Sequence, residues 1–488
     1  MRRVNLVLVA VLVAASCSRA TPERQVIDAA AEALGGADRI LAVRTLVMEG
    51  GGTNGAMGGA ATPDDPPNTF KVTDFRWTLD LENNRARLQQ VRTAQFPFAL
   101  ATVNRFDQRL DGDVGFNINA RGQAQRTNDA TAQQRRRSTL DHPVAAVRAA
   151  LQDGATLSNR RDEDGFTHVD IRTAAGDTIT LAIDPATSLP NHVSRMEYDA
   201  NWGDVEVETT FADYEAVNGL QLPKRLTQKT DRFTTADITL TRNAVDEDAG
   251  NLAASEEVRS ASAPEPPPIN VTVEQIRPGV WWLAGGSHHS VLFEFDDHTT
   301  LFEVPLNDAR TQAVIARAKE LVPNKPLTHA IVSHHHLDHA GGFRAAVAEG
   351  LTIITHRGNE AFLREIATRP HMLGQDALAR SPKEPMFQLV DDQLTLRDGT
   401  NHIELYKSNG NIHTGLLLYA WIPADRTLIQ ADFYDVNWLQ HPWGDNFIEN
   451  LRARNLTPVR HVPIHGRIQT HQEVLQTLAE KPREAPTE

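Results

Sequence analysis

Two hydrophobic rhythms divide this chain of 488 residues. In the first half, apolar and polar residues alternate in short runs at 70–72, 76–81, 85–91, 167–171, 178–183, 205–211 and 238–241. A period of two sends successive side chains to opposite faces, so these runs predict strands of a largely antiparallel, curved sheet. Asn83-Asn84 supplies a turn between two of them. Helical spacing appears at 21–34, where Thr21-Pro22-Glu23 forms a capped start and Val26, Ile27, Ala30 and Leu34 recur on one face before Gly35-Gly36. A second helix is expected at about 143–151. The glycine-rich stretch 50–59, followed by prolines at 63–67, predicts a mobile loop. It lacks the Gly-Lys-Ser/Thr ending of a phosphate cradle.

The rhythm changes after residues 246–270, an acidic, Ala/Ser-rich stretch ending in Pro266-Pro267-Pro268 that reads as a semi-extended linker. Beyond it strands are predicted at 279–283, 290–295, 299–304, 328–332 and 351–355, with helices at 308–321 and 343–347. Such alternation defines an α/β class. The expected organisation is an export segment at 1–20, a β-rich domain at 21–245, the linker, and a second domain at 271–480.

The amino terminus changes the picture of where the protein works. Arg2 and Arg3 precede an apolar run at 6–15, too short to span a bilayer, followed by Ala14-Ala15-Ser16-Cys17. This predicts export. The small residues before a lone cysteine resemble a bacterial lipoprotein signal, with a lipid anchor on Cys17; plain secretory cleavage near Ala20 is the alternative. By the same resemblance Ser18 favours the outer membrane. The location expected is periplasmic or on the outer membrane.

Composition narrows the chemistry. A net charge of −14 argues against a nucleic-acid partner, which needs a basic surface. One cysteine excludes a disulfide within the chain and any cysteine-rich metal knuckle. With 19 histidines, a bound transition metal would take His and carboxylate ligands.

The decisive string is Ser333-His334-His335-His336-Leu337-Asp338-His339-Ala340-Gly341-Gly342, directly after the apolar run Ala330-Ile331-Val332. His334 and His336, two apart on extended backbone, can converge on one ion. Asp338 and His339 lie beyond a turn and can face a second. Three further candidates follow at strand ends: His413, Asp432 and His465. Together these donors are what a two-metal hydrolytic site requires.

This half resembles the metallo-β-lactamase-fold hydrolases over about residues 271–478. The resemblance implies an αββα sandwich with the site at the edge between two sheets. It implies that His334, His336 and His413 hold one metal, that Asp338, His339 and His465 hold the other, and that Asp432 bridges both. The cofactor implied is a pair of divalent ions, zinc by default, with iron or manganese allowed by the same donors. Asp338 is the catalytic candidate, able to ligate and to take the nucleophile's proton. β-Lactamases that use a zinc-bound cysteine are excluded, because Asp432 stands at that position. Asn411-Ile412 replaces the usual Pro-Gly before the third histidine. Glu303 stands where an aspartate is common and is expected to brace the motif loop, a purely structural carboxylate being the alternative. His288, His289 and Tyr434 are candidate substrate contacts, Tyr434 as an oxyanion donor. Trp438, His441 and Trp443 form an aromatic cluster expected to pack in the core, lining a pocket being the alternative.

The function expected is hydrolysis of a small-molecule ester, lactone or thioester by hydroxide generated between the metals. The alternatives are a phosphodiesterase of the same fold, or an envelope protein binding a lipid or apolar ligand beside a non-catalytic metal site. The run 211–223 in the first half resembles the closing strands of lipoprotein-carrier-like half-barrel domains, which motivates the last reading.

Overall fold

The computed structural model describes residues 20–99, 102–436 and 441–479. The export segment with Cys17, and Trp438, lie outside the described residues.

Thirteen strands form one antiparallel sheet in the amino-terminal half. The chain leaves Thr45–Ala56, steps outward strand by strand to Ala124–Arg126, and crosses over through the helices Asp129–Ser138 and Pro143–Leu151. It then returns inward from Thr156–Glu163 until Phe233–Val245 pairs with Thr45–Ala56 at the centre. Helix Pro22–Leu34 starts as predicted, with Thr21 accepting from Arg24 N. It buries Ile27, Ala30 and Leu34 with Val144 and Val147 of Pro143–Leu151 against Leu79, Val169, Ile171 and Leu181 of the sheet. Burying period-two apolar positions under two helices drives this half together.

The glycine run is a correction. Residues 50–55 lie in strand Thr45–Ala56, not in a loop. A Cβ at Gly50 would stand 2.1 Å from Thr239 O, and one at Gly52 1.9 Å from Asp237 O. Glycine is used for close strand approach beside a bulge at Glu49/Gly50, not for mobility. The loop begins only at residue 57.

His142, at the start of Pro143–Leu151, is fully buried, and neither ring nitrogen has a hydrogen-bond partner. Burial holds its pKa down to about 3. The unfolded chain takes up that proton below about 6.5, so the folded state loses stability as pH falls from 6.5 towards 3, at up to about 1.4 kcal/mol per pH unit. Asp141, raised by burial to about 6, works in the opposite sense. His142→Leu is therefore expected to flatten the acid limb. Thermal melts at pH 7 and pH 4.5 check this: the gap between variant and parent should change between the two pH values, and parallel curves would refute it.

The linker is less free than its composition suggests. Leu252, Ala254 and Val258 are buried, and Ala254 N donates to Asp111 Oδ2 at 2.8 Å. A short helix, Glu256–Ser260, is capped by Ser255.

The carboxyl-terminal half stacks two sheets. One runs Thr272–Arg277, Val280–Ala284, Ser290–Glu294, Thr299–Phe302, Leu327–Ile331, Thr352–His356 and Met386–Val390; its last four strands are parallel. The other runs Gln393–Arg397, His402–Lys407, Leu418–Ile422, Thr427–Gln430, Arg460–Pro463 and Gln469–Thr470. Alternate residues of the first sheet enter different cores. Val291, Phe293, Phe302, Ile331 and Ile354 face Leu405, Tyr419, Leu428 and Val462 of the second sheet. Leu292, Leu301, Ala330 and Ile353 face the helices Asp308–Leu321, Phe343–Glu349 and Glu360–Thr368. Helices Gly444–Ala453 and His471–Ala479 pack Phe447, Leu451 and Val474 with the second sheet. The architecture is an αββα sandwich, as expected.

The halves share a core. Trp202 of the first half packs edge-on to Phe233 and to Phe362 of the second, with centroids 5.4 and 5.6 Å apart. Ion pairs Arg369–Asp231 (3.1 Å) and Arg232–Glu365 (2.6 Å) flank it.

Candidate metal centre

The motif loop leaves strand Leu327–Ile331 held from two sides. Ser333 N donates to Glu303 Oε1 (2.7 Å), and Ser333 O accepts from Leu418 N (2.9 Å) of the other sheet. His334 and His336 follow, then a one-turn helix, Leu337–Ala340, carries Asp338 and His339. Gly342 lets this turn press on helix Asp308–Leu321, since a Cβ there would lie 1.9 Å from Thr311 Oγ1. His413 is held by Asn411, whose Oδ1 accepts from His413 N at 2.8 Å; the residue that replaces the usual Pro-Gly thus makes the turn itself. Asp432 follows strand Thr427–Gln430. The Gln430 side chain clamps the next loop, donating to Tyr434 O and accepting from Phe433 N. His465 follows strand Arg460–Pro463.

These strand ends assemble two ligand groups: His334, His336, His413 and Asp432; and His288, Asp338, His339 and His465. Within each, one candidate atom per residue lies within 4.8 Å of the others. Asp432 joins the groups. Its Oδ2 lies 2.7 Å from His413 Nε2 and 3.5 Å from His334 Nε2. Its Oδ1 lies 2.8 Å from His465 Nε2 and 3.0 Å from His339 Nε2. Most of the cluster is buried, but the Asp338 side chain is 47% exposed and forms the open side.

Tautomers follow from fixed partners. Glu303, with no exposed surface, accepts from His339 Nδ1 through Oε2, so Nε2 of His339 faces the cluster. Glu303 sits at φ 76°, an unusual conformation for a residue with a Cβ, and the two hydrogen bonds of its carboxylate hold it there. Burial, and next the charge of His339, push the His334 pKa down to about 3; burial pushes His288 to about 4. Burial also opposes charge on His339, but the carboxylates of Asp432, Glu303 and Asp338 outweigh it and hold its pKa well above the usual value. Desolvation of Asp338 is likewise outweighed by His339 and by the hydrogen bond from His288, so its carboxylate stays ionised. His334 Nε2 is buried with no hydrogen-bond partner. A buried, neutral imidazole aimed at a carboxylate among other lone pairs fits a divalent cation with N/O ligation.

All seven ligand candidates read from the sequence meet here. Three other candidates sort differently. His288 is drawn into the second ligand group, with Nε2 3.2 Å from Asp338 Oδ2 and its ring 3.9 Å from that of His465. His289 does not face the site: Nδ1 accepts from Gly285 N and Nε2 donates to Gly466 O, so it braces the loop that carries His465. Tyr434 is also corrected. It is 1% exposed and packs against Phe447 of helix Gly444–Ala453 and against His461, because the clamp by Gln430 turns it inward. Trp443 donates to Asp432 O at 2.7 Å and lies 4.9 Å from the His413 ring, part of the site wall. Asp435, 3.7 Å from His465 Nδ1, was not anticipated; its place three residues after Asp432 was the available signal.

His288→Ala is expected to lower affinity for a divalent ion held by the second ligand group by about 10–100-fold. His289→Ala should mainly lower the melting temperature. Metal titrations and melts of the two variants separate these roles, and reversed outcomes would show them misassigned.

Residues 283–364 match the metallo-beta-lactamase superfamily. Among solved structures, the chain is similar to a metallo-beta-lactamase from Pontibacter korlensis (18% identity over 43% of this chain and 98% of that one, TM-score 0.34). It is also similar to metallo-beta-lactamases from Hirschia baltica (17%, 43% and 96%, 0.32) and Erythrobacter litoralis (18%, 43% and 94%, 0.32). No curated protein matches it. The carboxyl-terminal half is a layered sandwich with a His/Asp centre at the ends of its strands. That half has the metallo-β-lactamase fold.

Proposed function

We propose that this chain is an exported, metal-dependent hydrolase with a dinuclear centre, acting on a small-molecule ester, lactone or thioester. The observation that carries the reading is Asp432, whose two oxygens each face one ligand group. Divalent ions at such a centre lower the pKa of water from 15.7 towards about 7 and polarise an acyl oxygen. The chain's own residues do the rest. His334, His336 and His413 offer one set of nitrogens, and His339, His465 and His288 the other. Asp338 stands at the open side as an anion steadied by His288 Nε2, placed to orient water and take its proton. Buried Trp443 excludes solvent behind His413, and Ile412, 57% exposed, offers an apolar rim. The donors suit zinc, with iron or manganese admitted. The charge of −14 disfavours a nucleic-acid substrate.

Export rests on the charged, apolar and small-residue pattern at 1–20, with Cys17 as the lipid site. No helix among the described residues is long and apolar enough to cross a membrane.

The test is metal content after reconstitution, with a panel of p-nitrophenyl esters, lactones, nitrocefin and bis-p-nitrophenyl phosphate. About two ions per chain and turnover of esters or lactones are expected. Turnover of the phosphate diester alone would move the reading to a phosphodiesterase, and a chain that retains no divalent cation would end it.

A second reading is favoured by one cavity. A space of about 210 Å3 in the amino-terminal sheet is lined by apolar residues including Phe75, Trp77, Leu226 and Ile238 and by polar residues including Arg135 and Asp141. It suits a small ligand with an apolar body and a polar end, which quenching of Trp77 fluorescence would detect. Binding there without hydrolysis of any substrate would favour a carrier.

A further inference from the structure

Connection 57–67 joins the paired residues Ala56 and Asn68. A hairpin needs about two residues at such a place, and this one uses eleven. The surplus reaches the motif loop of the other half. Ala60 O lies 2.7 Å from His336 Nε2 and 3.0 Å from His335 Nε2. Leu337 N donates to Gly58 O at 3.3 Å. The loop is shaped for this: Thr62 N donates to Asp65 Oδ2 (2.9 Å), and Asn68 Nδ2 to Gly59 O (2.6 Å). The shared core around Trp202 and the flanking ion pairs hold the halves in the register this contact needs.

A carbonyl oxygen only accepts, so both rings must carry their proton on Nε2. In neutral His336 the lone pair is then on Nδ1, the one nitrogen left to ligate. His335 belongs to neither ligand group and ties the motif a second time to the same oxygen.

We propose that loop 57–67 of the amino-terminal half is a positioning element of the metal centre, its Ala60 carbonyl fixing His336 as the Nε2–H tautomer so that Nδ1 faces the cation. The two halves are thus one functional unit, and the first contributes backbone to a site whose ligands all come from the second. The metal-affinity consequence rests on the dinuclear reading above; the tautomer consequence does not.

Two full-length variants test it. In one, residues 57–67 are replaced by Asn-Gly, which closes Ala56 onto Asn68 with a two-residue turn. The other is Gly58→Val, at φ 81°, where a Cβ would stand 2.8 Å from Leu337 Cδ1 and push the loop away without touching the sheet. Imidazole 15N shifts of the metal-free protein read the tautomer, and cobalt titration reads affinity. Both variants are expected to lose the single Nε2–H form at His336 and to bind the ion about 10–100-fold more weakly, with the parent far-UV spectrum retained. A parent chain that binds no cobalt, yet shows the Nε2–H form lost in the variants, would overturn the dinuclear reading and with it the metal-positioning role, while the loop's control of the His336 tautomer would stand. Variants with the parent's His336 tautomer and affinity would overturn the loop's role. Should the shortened hairpin fail to fold, Gly58→Val alone decides between these outcomes.

Discussion

Asp432→Asn is expected to abolish the centre while leaving the fold in place. The carboxylate lies between four imidazoles, His334 and His413 on one oxygen and His339 and His465 on the other. An amide of the same shape removes the charge and turns an N–H donor towards one group. On the dinuclear hydrolase reading proposed above, bound metal should fall from about two ions to one or none, and hydrolysis by on the order of a thousandfold or more. Metal analysis and ester turnover on the same preparation check this. Full occupancy with near-parent turnover would remove Asp432 from the chemistry. Burial would otherwise penalise the Asp432 carboxylate, but the histidines around it hold its pKa well below the ordinary range, so the charge being removed is present at every working pH.

The second large effect is expected at Glu303, which is not a ligand candidate. Its oxygens accept from Ser333 N and His339 Nδ1 in a site with no exposed surface. Glu303→Ala leaves both donors buried without an acceptor, a loss of about 3–5 kcal/mol if His339 carries charge. It also frees the His339 tautomer, with a further 10–100-fold loss in metal affinity. Glu303→Gly separates backbone from carboxylate. It relieves the φ of 76°, so it should melt higher than the alanine variant yet bind metal no better. Equal melting temperatures for the two would show that the conformation costs nothing here. Urea unfolding and cobalt titration supply the measurements.

The αββα half was legible because its signals are local. Helix Asp308–Leu321 and strand Leu327–Ile331 follow from periodicity, and the clustered donors His334, His336, Asp338 and His339 announce themselves by spacing. Distant members such as His413, Asp432 and His465 were legible only as candidates at strand ends; their assignment to particular ligand sets came from the resemblance, since no local pattern ties residues so far apart. Tyr434 and His289 were misread for one reason. Chain proximity to a ligand says nothing about which side of the backbone a ring takes, and here Gln430 and Gly466 decide it. The glycines at 50–55 were misread because flexibility and close strand approach share a composition. The Ala60 contact could not be read at all, because it depends on a backbone oxygen whose position only the assembled halves define.

The meeting of Thr45–Ala56 with Phe233–Val245 governs how the first half comes together during synthesis. An early strand waits for a partner made almost two hundred residues later, so this half is a high-contact-order fold and is expected to be slow to form. Until residue 245 emerges, the inner edge of Thr45–Ala56 is an open template for pairing with other chains. Truncation before residue 233 is therefore expected to yield aggregates rather than a smaller domain.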